Sequence, residues 1–154
     1  MNPPDSHPVV TLRPAGEDDR HLLWLIQCQS LRPAIEATWG WDEALQRRHF
    51  EDHWGVCGRE IIRIDGADAG MLSVEIRPDH VFLRNIALLP QFQARGIGTK
   101  VVRDVMDHAS RLGLPVRLQV LKVNRARRLY ERLGFREVAE TPTHYQMVFD
   151  RKPG

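Results

Sequence analysis

A chain of 154 residues, 42% hydrophobic and 27% charged, has room for one domain whose core needs no disulfides, and this composition excludes wholesale disorder. Its two cysteines, Cys28 and Cys57, form neither a disulfide framework nor a zinc pattern and are expected as small thiols in or near the core. The net charge of +2 hides an asymmetry: residues 95–136 hold eleven Lys or Arg against three acids, while the rest of the chain carries a balance of −6. A field divided in this way favours a polyanionic ligand, nucleic acid or a phosphorylated cofactor, unless the charges are only solvated helix faces.

The opening MNPPDSHPVV lacks a basic segment followed by an apolar one, and no run approaches membrane length; a cytoplasmic protein without a membrane partner is expected. Residues 9–14 read as a first strand. GEDDRHLLWLIQCQSL follows as a helix with acids in its first turn, with Leu22, Leu25, Ile26 and Cys28 facing inward and an interruption at Pro33. A second helical piece starts at Ala34, breaks at Gly40 and resumes behind Asp42 as N-cap. REIIRIDG, AGMLSVEIR and HVFLRNIALL read as an antiparallel meander, punctuated by DG and PD turns and closed by Pro90. From Gly96 the period changes: Ile97, Val101, Val105 and Ala109 recur every four residues, and LGLP ends that helix. PVRLQVLKV is a further strand. NRARRLYERLG is a helix with Asn124 as N-cap and Gly134 just past its end, and FREVAE and THYQMVFD are two closing strands. The expected whole is a single domain over residues 1–154, loose at 1–8 and 151–154. Its class is α/β (an α+β mixed sheet), with six to seven strands flanked by about four helices.

The stretch QFQARGIGTK, residues 91–100, places a strand, a glycine turn and a helix start in succession, and that combination makes an anion site. A dinucleotide fingerprint needs a third glycine, but Gly96-Ile97-Gly98 is followed by Thr99, Lys100 and Val101. A P-loop needs four residues between its glycines and then Gly-Lys-Ser/Thr, whereas here the order is Gly98-Thr99-Lys100. NIALLPQFQARGIGTKVV instead resembles motif A of the GNAT acyltransferases, a strand ending near proline and then Gln/Arg-x-x-Gly-x-Gly/Ala opening a helix. Gln93, Gly96 and Gly98 stand in the signature places. Downstream, NRARRLYERLGF is similar to a second pattern of that family at about the family's separation, and the element order matches over nearly the whole chain.

The resemblance implies the GNAT acyl-CoA N-acyltransferase fold and an N-acetyltransferase that moves an acetyl group from acetyl-CoA to a primary amine by direct attack in a ternary complex. It assigns the backbone of Ile86, Ala87 and Leu88 to the pantetheine arm. It assigns the loop with Gln93, Ala94, Arg95, Gly96, Ile97, Gly98 and Thr99 to the pyrophosphate, and Asn124 to the cofactor arm. In the chemistry, the Leu88 N–H would face the developing oxyanion and Tyr130 would protonate the departing thiolate. Read as residues alone, Asn124 is also a plain helix cap and Tyr130 a core aromatic; the two readings are compatible. The base for the acceptor ammonium has no clear holder. Gln119 stands where some relatives have a glutamate, and an amide is no base. Glu75 in SVEIR is the first candidate, unless it is the outward residue of an alternating strand; His80, His144 or a water chain are the others.

The acceptor is expected to be a small-molecule or peptide amine. TWGWDE, with Glu36, Asp42 and Glu43, would form an aromatic and acidic rim for a cationic amine, unless these tryptophans only pack the helices. His144 and Tyr145 point to opposite faces of a strand, so one of them reaches the cleft. His49 and His53 lie one helical turn apart without a third ligand nearby, so no metal is expected. No nucleic-acid partner is expected either, because the arginine-rich residues 125–136 carry only Tyr130 and Phe135 as aromatics. A homodimer is compatible with all of this. The alternative function is a non-catalytic acyl-CoA sensor, for which Gln119 is the main support.

Overall fold

A computed structural model describes residues 8–54 and 58–150, so Cys57 and the terminal stretches expected to be loose, residue 8 apart, lie outside the described residues. Four strands come first in the sheet: β1 (Val10–Pro14), β2 (Arg59–Ile64), β3 (Ala67–Ile76) and β4 (Val81–Leu88), each antiparallel to the next. β5 (Val116–Leu121) lies parallel to β4, followed by β7 (His144–Phe149) and, at the edge, β6 (Arg136–Glu140), in the order β1-β2-β3-β4-β5-β7-β6. The β2–β3 turn is the expected Asp-Gly hairpin, with Asp65 at φ 50° and Gly66 at φ 84°, both left-handed as such a tight turn demands.

Four helices cover the sheet: α1 (Arg20–Trp39), α2 (Glu43–Asp52), α3 (Ile97–Leu112) and α4 (Ala126–Arg132). Strand alternation feeds both sides. Ile61 and Met71 turn toward Leu23, Ile26 and Phe50 of α1 and α2, whereas their neighbours Ile62 and Leu72 turn toward Val101, Val102 and Met106 of α3. α3 buries the four residues of its expected stripe together with Val102 and Met106, and Gly113 at φ 70° ends it.

α1 departs from expectation. It runs through Pro33 as one helix of 20 residues, although a proline removes an N–H and crowds the preceding turn. Burial on both sides of the proline holds it: Leu23, Trp24 and Ile26 before it and Ala34 and Ile35 after it are all under 9% exposed. Leu25, expected inward, is 41% exposed, because the run HLLWLI is apolar on every side and only packing selects its inner face.

The feature that positions the site is a divergence. β4 and β5 pair only at Val81/Val116 and Phe82/Arg117 and then separate, leaving a cleft toward their C-terminal ends. Just past that pairing β4 carries a bulge: Val74 faces Leu83 while Ser73 faces Asn85, so Arg84 is the extra residue. A bulge of this kind bends its strand and re-aims the inserted side chain.

Candidate active site

One wall of the cleft is the outer edge of β4. Leu89 N–H donates to the Ala69 carbonyl at 2.8 Å, which fixes the alternation of the antiparallel pair. Ala87 then exchanges bonds with Met71, while Ile86 and Leu88, opposite Leu72 and Gly70, turn their N–H and C=O groups away from β3. They face the side from which β5 has departed. The Leu88 carbonyl is held there by Gln93 Nε2 at 2.9 Å and Ser30 Oγ at 3.3 Å. Gln93 thus braces the strand to the loop that follows. Gly70 permits this arrangement, since a Cβ at that position would lie 2.2 Å from the Ala87 carbonyl oxygen. The sequence reading passed over Gly70; a glycine inside an otherwise apolar strand was the available signal.

The loop after β4 places Ala94 at φ 62° and Gly96 at φ 79°, two left-handed residues one apart, and Gly96 caps α3. Alternations of this type turn successive N–H groups into an anion-binding concavity. No side chain caps α3, so its first N–H groups and the positive end of its dipole remain available to a ligand. Gly98 has only Leu129 and Leu88 methyl groups at 3.9 Å from a notional Cβ, which is ordinary contact. The fold therefore has no steric need for glycine there. Arg95 lies 5.9 Å over the Phe92 ring, and Lys100 pairs with Asp104 at 3.0 Å.

α4 forms the opposite wall. It begins at Ala126 rather than directly behind Asn124, whose Oδ1 closes the preceding turn by accepting the Ala126 N–H at 2.9 Å. Its end is a Schellman motif: Phe135 N–H donates to Tyr130 C=O and Gly134 N–H to Glu131 C=O, both at 3.0 Å, with Gly134 at φ 101°. The hydrophobic contact of that motif is the Tyr130–Phe135 ring pair, centroids 5.6 Å apart. The terminus of α4 therefore fixes the ring of Tyr130. Burial pushes its phenol up to about 12. In an unfolded chain a tyrosine ionises near 10. The contribution of Tyr130 to stability should thus be level below pH 10 and fall between pH 10 and about 12. Denaturant midpoints measured against pH for wild type and Tyr130→Phe should diverge in that interval; superimposable curves would mean that the phenol is not desolvated.

Between the walls lies a cavity of about 950 Å³ lined by Trp41, Arg84, Gln119, Asn124, Tyr130 and His144, among others. His144 faces it, holds Thr143 Oγ1 at 2.8 Å through Nδ1 and lies 6.0 Å from the Trp39 ring. Tyr145 takes the other face of β7, under Lys122 and Arg127. Glu75 is not among the residues lining the cavity. Hydrogen bonds from Arg77 and Arg84 hold its carboxyl below the usual carboxylate range, which weakens it as a base. His80 is bonded to Asp79 at 2.7 Å and sits edge-on to Phe82, also off the cavity.

Two of the four tryptophans line the cavity, Trp39 and Trp41, together with Asp42; Glu36 instead pairs with Arg32, and Glu43 lies in the first turn of α2. Trp24 packs on Phe50, and Trp54 donates to Glu17 at 2.7 Å. His49 and His53 also line the cavity, but no group of three His, Cys, Asp or Glu suited to a metal occurs among the described residues. Arg84 and Ser73 also line the cavity and were not singled out from the sequence; a charged residue inside the apolar run HVFLRNIALL was the available sign for Arg84.

The model of the acetyltransferase (GNAT) family matches residues 22–135. No curated protein matches the sequence. Among solved structures, the chain resembles the PaiA N-acetyltransferase of Thermoplasma acidophilum, solved with coenzyme A, at 14% identity and TM-score 0.77, over 93% of this chain and 99% of that one. It also resembles the ribosomal-protein-S18-alanine N-acetyltransferase of Escherichia coli, at 21% identity and TM-score 0.69, covering 94% and 97%. A GNAT family acetyltransferase of Elizabethkingia anophelis with acetyl-CoA bound aligns at 13% identity and TM-score 0.67, covering 92% and 98%. These identities show a shared fold. Among the described residues no helix is long and apolar enough to cross a membrane.

Proposed function

This chain belongs to the GNAT acetyltransferase family, and from that premise we propose that it transfers an acetyl group from acetyl-CoA to a primary amine by direct attack in a ternary complex. The observation that carries the reading is the outward-turned edge of Ile86 and Leu88 leading directly into the left-handed loop at the start of α3. The loop at residues 93–99 would hold the pyrophosphate on backbone N–H groups, and the edge of β4 would hold the pantetheine arm. Acetyl-CoA, when bound, supplies the activated acyl group.

The chain's own groups then take three tasks. Leu88 N–H, fixed in direction by the sheet, donates to the oxygen on which negative charge develops. The Tyr130 hydroxyl keeps its proton across the working pH range and presents it to the leaving sulfur. His144 takes the acceptor's proton; of the candidates weighed from sequence it is the one that lines the cavity.

Calorimetric titration with acetyl-CoA, against NAD and ATP as controls, tests the cofactor assignment. Binding of acetyl-CoA alone is expected. Gly98→Ala should fold normally, because the fold has room for a methyl group, yet bind about tenfold more weakly, as a backbone approached closely by phosphate would. No binding by the wild type would overturn the assignment, and an unchanged affinity in the variant would remove Gly98 from the contact.

Gln119 on the cavity wall, together with the ion-paired state of Glu75, favours a second reading, a non-catalytic acyl-CoA sensor. Tight acetyl-CoA binding without thiol release over a broad amine panel would select it.

A further inference from the structure

We propose that the acceptor is an amine that also carries a carboxylate, and that Arg84, held in place by Glu75, reads that carboxylate. The proposal rests on the acetyl-transfer reading above and names the substrate class for the same cleft.

The charges on the cavity wall set the class. Arg59 and Arg84 line it, Arg59 donating to the His53 and Trp54 carbonyls, and among the described lining residues the one carboxylate is Asp42. Asp42 is already engaged, since its Oδ1 accepts the Leu45 N–H as the N-cap of α2. A pocket for an amine with no other charge would be expected to hold a surplus of acids. This one holds no such surplus among the described residues, and Arg84 lines it, so an acceptor that carries an anion beside its amine fits it.

Arg84 is the side chain best prepared to do so. It is the extra residue of the β4 bulge, beside the edge proposed to hold the pantetheine arm, and its side chain is 32% exposed. Nε and Nη2 both donate to Glu75 Oε1, while Phe82 lies 5.5 Å from the guanidinium carbon. One edge of the fork is thereby fixed. Nη1 takes no protein partner among the described residues, which leaves the end-on edge of the fork for a ligand. Glu75 is shared with Arg77, at 2.8 Å, so one carboxylate faces two guanidiniums and the cluster keeps a net positive charge. A planar donor pair held rigidly beside a ring is suited to bidentate recognition of a carboxylate, and its preorganisation lowers the cost of binding. The position of Glu75 follows from the same geometry: it positions Arg84.

The test is a thiol-release assay on matched acceptors that differ in one group: 4-aminobutyrate against butylamine, and L-lysine against cadaverine. Wild type should favour the carboxylate member of each pair by about 10- to 100-fold in kcat/KM, the range expected for one charge-assisted hydrogen-bonded contact. Arg84→Gln should abolish that preference while leaving the butylamine and cadaverine rates within about twofold. Arg84→Lys, which keeps the charge and loses the fork, should restore part of it. Glu75→Gln should weaken the preference without erasing it. Thermal midpoints of all variants guard against loss of the fold, and Arg84→Lys keeps the question open to measurement if Arg84→Gln unfolds. Equal rates within each wild-type pair, or a preference that survives Arg84→Gln in folded protein, would overturn the carboxylate assignment alone. Absence of turnover on every acceptor, with acetyl-CoA bound, would overturn it together with the enzymatic reading.

Discussion

Replacing Gly70 with alanine is expected to destabilise the protein by about 3 kcal/mol or more and to abolish measurable acetyl-CoA binding. A Cβ there would stand 2.2 Å from the Ala87 carbonyl oxygen and 2.8 Å from Leu88 Cδ2, and the first of these is backbone that no rotamer change can move. β3 cannot turn aside either, because the Leu89 N–H to Ala69 C=O bond adjoins the site and locks the two strands in register. The strands must therefore move apart by about an ångström, and inserted volume in a closed ladder costs about 1–3 kcal/mol before any lost hydrogen bond is counted. That is a large share of the roughly 5–15 kcal/mol by which a domain exceeds its unfolded state. The residues displaced would be Ala87 and Leu88, and with Leu88 the outward edge proposed to hold the pantetheine arm. Gly16→Ala is the control, since nothing lies within 4 Å of a Cβ at that position. Denaturant midpoints and calorimetry on both variants decide the matter. A Gly70→Ala protein as stable as the Gly16→Ala control, with acetyl-CoA binding intact, would show that this contact does not set the strand separation.

Tyr130→Phe should lower turnover by about 10²-fold with acetyl-CoA affinity unchanged within about twofold. The substitution removes one hydroxyl and leaves the ring, its 5.6 Å contact with Phe135 and the backbone bonds of the Schellman motif in place. General acids contribute about 10²–10⁴-fold, and burial decides where in that range Tyr130 falls. With its phenol pushed up to about 12, above the ordinary range of an alkyl thiol, full transfer of its proton to the departing thiolate is uphill. In the proposed mechanism Tyr130 would therefore act chiefly by donating a hydrogen bond to the sulfur as charge develops, and the expected loss lies at the lower end. Steady-state kinetics with calorimetry of acetyl-CoA separates the two effects. An unchanged turnover would remove Tyr130 from the acid role.

Much of the architecture is legible in the sequence. The four-residue recurrence from Ile97 to Ala109 became α3 with every member buried, because one stripe of apolar side chains can face only one sheet. The DG turn became the β2–β3 hairpin, and the change of texture at Arg59 marked the start of the meander. Local rules failed where tertiary contacts outweighed them. Pro33 reads as a breaker from its covalent structure, yet burial on both sides carries α1 through it. Glu75 reads as a candidate base from its place on β3, yet Arg77 and Arg84 convert it into half of an ion-paired cluster.

The sequence by itself determined the glycine loop with its helix start, the strand that precedes it and the basic field around it, because these are contiguous in the chain and follow from local backbone preference and charge. The tertiary structure alone decided which edge of β4 lies open, how closely β3 approaches it at Gly70, and which of His144, Glu75 and Arg84 reaches the cavity. Those outcomes depend on strand register, on a single inserted residue and on pairing between side chains distant in sequence, and no local pattern encodes the distances on which they turn.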